Sequence, residues 1–142
     1  SEPEYFTGAY YCNFENFVNI YQFIVRHMER SGQSVYLMLC TLTESDNSPP
    51  KNGERLSKLS TALHQAARMS CRRGDVYTRY SPSQFLLMLM NINQENCHIV
   101  ADRLRYNFFK HSKITKLQGN FGRKHGQRYE SARQRSAALM VS

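Results

Sequence analysis

Arg72-Arg-Gly-Asp-Val-Tyr-Thr-Arg-Tyr-Ser-Pro-Ser-Gln-Phe-Leu-Leu-Met-Leu-Met90 is the stretch on which the fold turns. Asp75 to Tyr80 alternates in character and has strand length. Gln84 to Met90 is an apolar run of the same kind. Ser81-Pro82-Ser83 between them is turn chemistry, since proline fixes φ and serine hydrogen-bonds its own backbone. Two strands joined this closely form an antiparallel hairpin.

Upstream, Leu56, Leu59, Leu63, Ala66, Ala67 and Met69 recur at helical spacing from Glu54 to the stop at Arg72-Arg73-Gly74. Residues 44–53 are a loop by composition. Val35 to Leu42 is apolar on both faces, which predicts a central strand. Phe14, Phe17, Val18, Tyr21, Ile24, Val25 and Met28 mark an earlier helix, with Asn13 as N-cap and Ser31-Gly32 as its end. Residues 1–13 read as a lead-in with aromatic anchors, Tyr5, Phe6, Tyr10 and Tyr11, that pack the first helix onto the sheet or onto a second copy.

Downstream, Cys97, Val100, Ala101, Leu104, Phe108 and Phe109 give a third helix, with Asp102, Arg103 and Lys110 outside. Residues 113–118 offer a last strand. The order α-β-α-β-β-α predicts an α+β fold, an antiparallel central sheet with its helices on one side. The domain is expected over 1–117, followed by a weakly ordered basic extension over 118–142 in which only Gln127 to Met140 is compatible with a helix.

Charge follows that division. The 142 residues carry 19 Lys and Arg against 11 Asp and Glu. From Lys110 onward there are 8 basic residues and one acidic, so the folded part is close to neutral and any phosphate binding belongs to the tail. No apolar run is long enough to span a bilayer. The acidic start, with no signal-like apolar segment, predicts a cytoplasmic protein. Cys12, Cys40, Cys71 and Cys97 are too far apart for a CxxC or zinc motif and are expected as buried thiols, with no metal or cofactor. The histidines His27, His64, His98, His111 and His125 are scattered and expected at the surface, whereas Met69, Met88, Leu89 and Met90 are expected in the core.

Arg72-x-x-Asp75, the strand with Arg79, and Ser81-Pro82-Ser83-Gln84-Phe85 together resemble the core of the GGDEF domain, the diguanylate cyclase family. Asp75, Arg79 and Phe85 match at the family's spacing, and Gly53-Glu54 is similar to its Gly-Asp before the corresponding helix. The likeness covers roughly residues 14–110 and implies a nucleotide-cyclase-like palm. Arg79-Tyr-Ser-Pro-Ser-Gln-Phe85 and Arg26-His-Met-Glu-Arg-Ser-Gly32 also resemble degenerate GGDEF-like domains of bacterial transcriptional and response regulators that carry a transcriptional activation domain.

The family joins two GTP molecules through divalent metal held by carboxylates at the first strand's end and in the signature turn. Glycines in that turn let the backbone approach the nucleotide. On this alignment the acidic strand positions are Thr41 and Thr43, the two glycines are Ser81 and Pro82, and the acidic pair is Ser83 and Gln84. The resemblance therefore implies a lost catalytic and metal site and a regulatory domain. Its partners are then other domains of the same regulator, with DNA contacted only through attached domains, and a second copy of the chain; no membrane is involved. Two alternatives stand beside it. Arg72 and Asp75, with Arg79 nearby, match the family's motif for cyclic di-GMP, although Asp75 pairing with Arg72 or Arg73 merely to fix the corner is the favoured explanation. The basic tail offers nucleic-acid binding.

Overall fold

The computed structural model describes residues 8–44 and 46–112, together with the backbone of 122–124, 127–132 and 137–141. The elements run β1 (Tyr10–Cys12), α1 (Phe14–Ser31), β2 (Val35–Thr43), α2 (Gly53–Ser70), β3 (Val76–Ser81), β4 (Gln84–Met90), α3 (Gln94–His111), β5 (Gly122–Lys124), β6 (Gln127–Ala132) and β7 (Ala137–Val141).

Each helix begins by the same device. Asn13, Asn52 and Asn93 hold extended backbone and accept first-turn amides on their side chains, from Asn16, from Glu54 and Arg55, and from Asn96. Those amides have no partner inside the helix, so an asparagine oxygen there decides where the helix starts. Gly32 ends α1 in the left-handed region at φ 69°, a conformation that costs glycine nothing.

The expected hairpin is present. β3 and β4 pair antiparallel, with a shift of register between Arg79 and Ser81 that leaves Tyr80 as an extra residue. β2 runs antiparallel to the other side of β4, from Val35 opposite Met90 to Thr41 opposite Gln84. The sheet order is β1-β3-β4-β2-β7-β6-β5, so the strand read as central is indeed interior.

Alternation along these strands makes two cores. Met38, Cys40, Leu42, Tyr77, Phe85, Leu87 and Leu89 face α2 and α3, which contribute Leu59, Leu63, Ala66, Leu104 and Phe108. Val76 and Met88 face the other way and take Phe17, Ile20 and Ile24 of α1. The helices therefore cover both faces of the sheet, not one as the sequence suggested. α1's apolar stripe has the same period as those of α2 and α3, and period alone does not say which face a helix covers. α2 and α3 are also tied through polar groups. Arg103 donates to the Ser70 carbonyl at 3.1 and 2.8 Å, closing the end of α2, and Asn107 donates to the Ser70 hydroxyl at 3.0 Å.

Several expectations are corrected. Tyr10–Cys12, read as lead-in, is a strand parallel to β3, in register with Val76–Thr78. Tyr5 and Phe6 lie outside the described residues, as do residues 113–118. The sheet does not stop at residue 117: β7 pairs antiparallel with Cys40–Thr43 of β2, and β6 and β5 follow outward. Residues 127–132 and 137–141 thus carry strand, within a stretch where the sequence allowed a helix, because the free side of β2 needs backbone partners that a helix does not supply. Met69 is 51% exposed instead of buried. Arg105, which the apolar pattern passed over, is fully buried and paired with Asp102.

Candidate functional site

The end of β2 and the tip of the β3–β4 hairpin meet, and apart from the Arg79 guanidinium the side chains that meet there are neutral. The Gln84 amide donates to Thr41 Oγ1 at 3.3 Å, and the Ser81 hydroxyl donates to Gln84 Oε1 at 3.0 Å. The Leu42 amide donates to the Ser83 carbonyl at 2.8 Å, carrying the ladder one step past Gln84. Arg79 Nη2 reaches both the Ser60 hydroxyl of α2, at 3.1 Å, and the Pro82 carbonyl, at 2.7 Å. Thr43 is buried, and Phe85 is fully enclosed in the core.

These residues do not fit a divalent cation. Mg²⁺ in a nucleotide site is held by carboxylates as well as by the phosphates, and the side chains at positions 41, 43, 81, 83 and 84 carry no charge. The acidic groups that follow β2 in sequence are committed elsewhere: Glu44 is paired with Arg55 at 2.9 Å, and Asp46 accepts from the Ser48 amide at 3.0 Å and from its hydroxyl. The Ser48 hydrogen bonds hold the Asp46 carboxyl below its ordinary range. Among the described residues no three His, Cys, Asp or Glu side chains converge as a metal site would need.

Arg72 and Asp75 do come together, but around the backbone. Asp75 is 3% exposed. Its Oδ2 accepts the Arg72 amide at 2.8 Å and its Oδ1 accepts the Met90 amide at 3.0 Å. Arg72 Nε lies 3.6 Å from the same carboxylate, and its Nη2 donates to the Met90 carbonyl. The pair thereby pins the α2–β3 corner to the last residue of β4, and β1 starts from that corner through the Tyr10 amide on the Asp75 carbonyl. Both carboxylate oxygens are occupied. The Arg72 side chain is 58% exposed, so it alone of the pair faces solvent.

Sequence reading missed His64. It is half-buried, with Nδ1 3.0 Å from the Tyr77 hydroxyl. The Tyr11 and Phe85 rings stand edge-on to it at 4.8 and 4.7 Å. Burial, and then the charges of Arg79 and Arg68, push its pKa below the ordinary histidine value. Burial pushes the Tyr77 phenol up to about 12. The only signal in sequence was the position of His64 one residue from Leu63 on the apolar stripe of α2. The cysteines are free thiols, and burial raises Cys71 to about 12 and Cys40 further.

No family model matches the chain, and no curated protein does. Among the solved structures that match is the crystal structure of a DGC (diguanylate cyclase) protein from Thermotoga maritima, 14% identical, with a TM-score of 0.50 over 74% of each chain. The chain has an α+β fold, a mixed sheet flanked by three helices, similar to that of a diguanylate cyclase.

Proposed function

We propose that this chain is a non-catalytic regulatory domain on a cyclase-like scaffold, belonging to a bacterial transcriptional regulator and acting in the cytoplasm through other domains of that protein or a second copy. The observation that carries the reading is the direct hydrogen bonding of Thr41, Gln84 and Ser81 at the place where such a fold would converge carboxylates on metal and triphosphate. Phosphoryl transfer draws most of its acceleration from positioning and from charge that offsets the developing negative charge. Here the cation-binding half of that apparatus has no acidic ligand. No helix among the described residues is long and apolar enough to cross a membrane. Incubation of the purified chain with GTP and Mg²⁺ or Mn²⁺ is expected to leave GTP unchanged; appearance of cyclic di-GMP would refute the proposal.

The cyclic di-GMP reading gains nothing from the geometry at Asp75, whose oxygens already hold two backbone amides. Calorimetry with cyclic di-GMP tests it, and no heat is expected.

A further inference from the structure

We propose that the neutral groups at the end of β2 and the tip of the β3–β4 hairpin form a metal-free latch, fixing the tip in one position without cation or nucleotide. This deepens the non-catalytic reading and draws its biological meaning from it, although its geometry stands apart.

The register places residues 41 and 84 directly opposite each other. Two carboxylates so placed repel, and one must take up a proton or share a cation. A threonine and a glutamine so placed attract, through an N–H donated to a hydroxyl. The chain of donors is ordered: Ser81 gives its proton to Gln84 Oε1, which fixes the amide so that its N–H₂ end points at Thr41. Every group in that relay has a partner inside the protein.

Two further ties reach the backbone of the tip. The Leu42 amide holds the Ser83 carbonyl, and the Arg79 guanidinium holds the Pro82 carbonyl while touching Ser60 on α2. A charged donor makes the second tie the stronger kind. Pro82 adds stiffness, since its φ is fixed before folding. The tip is thus fastened to β2 on one side and to α2 on the other. A domain built this way presents a constant surface beside the hairpin, so a signal passing through it is carried by contacts made there and not by ordering of the tip around a ligand.

The test uses the intact chain in three arms. The wild-type melting temperature and the hydrogen exchange of the Leu42 amide are expected to be the same in Mn²⁺ as in EDTA. Gln84→Ala is expected to speed Leu42 exchange about five- to tenfold, the effect of one lost hydrogen bond on local opening. A Thr41→Asp, Gln84→Glu double variant is expected to melt lower than wild type in EDTA and to regain temperature on adding Mn²⁺. A wild-type melting temperature that rises with Mn²⁺, or Leu42 exchange unchanged in Gln84→Ala, overturns the latch; these two arms decide the matter if the double variant does not fold. GTP turnover by a chain whose tip behaves as described would sink the non-catalytic reading alone.

Discussion

Replacing Asp75 by alanine separates a structural brace from a ligand group. The carboxylate is buried and accepts the Arg72 and Met90 amides, which belong to residues 18 apart in sequence and are linked besides only by the exposed Arg72 side chain on the Met90 carbonyl. A hydrogen bond to a charged group contributes about 1.5–3 kcal/mol, and the two here cannot both be fully replaced by water at a corner this enclosed. A loss of about 3–4 kcal/mol is expected, a large part of the roughly 5–15 kcal/mol that holds a domain together. With about 2.1 cal/mol/K of unfolding entropy per residue, the unfolding entropy of this chain is ~300 cal/mol/K, and the melting temperature should fall by roughly 10 °C. Urea unfolding followed by circular dichroism gives the free energy directly, with the midpoint falling by about 1–3 M at an ordinary slope. Asp75→Asn keeps an oxygen for one amide and turns an N–H toward the other, so it should be destabilised by nearly as much. A loss under about 1 kcal/mol for Asp75→Ala would refute the brace, and cyclic di-GMP would then regain its claim on the residue.

Two other perturbations follow from the same geometry. His64 is held neutral by burial and by Arg79 and Arg68, so its folded pKa lies below the unfolded value of about 6.5; the unfolded chain takes the proton first, and stability falls as pH drops through that value. His64→Phe, which keeps a ring between Tyr11 and Phe85, should flatten that acid slope in urea titrations at several pH values; a slope that persists assigns it to another group. Gly8→Ala puts a methyl 2.1 Å from the Arg68 carbonyl oxygen at a residue whose φ is +71°. It should cost roughly 2 kcal/mol or more and loosen β1, read as faster exchange of the Tyr10 amide, and a neutral substitution there contradicts the close approach.

The hairpin and the three helices were legible because each carries its signal locally: a turn between apolar strands, or an apolar stripe with an asparagine ahead of it. β1 was not. It is three residues long, and its partner, Val76–Thr78, lies more than sixty residues further on, so nothing within a short window marks it as a strand. β7 was hidden for a related reason, since Ala137-Ala-Leu-Met-Val141 gains strand character from the free side of β2 and not from its own flanks. The site was readable as a set of positions. The family resemblance mapped Thr41, Ser81 and Gln84 onto one site and showed that they lack charge, but the direction of each hydrogen bond depends on a register that composition does not contain. Arg79 shows the limit well: matched to the family's hairpin and set beside Arg72 and Asp75 as a ligand candidate, it is engaged by Ser60 and Pro82.

Among the described residues, the sheet's two rims are both brief. β1 closes one side with Tyr10–Cys12 and β5 the other with Gly122–Lys124, three residues each, and the second reads Gly-Arg-Lys. A bare strand margin is a template on which foreign chains polymerise, and shortness with positive charge is a common defence against it. β7 covers Cys40–Thr43 of β2 and β1 covers Val76–Thr78 of β3, so on those stretches of the two interior strands the backbone is already taken and closed to a foreign chain.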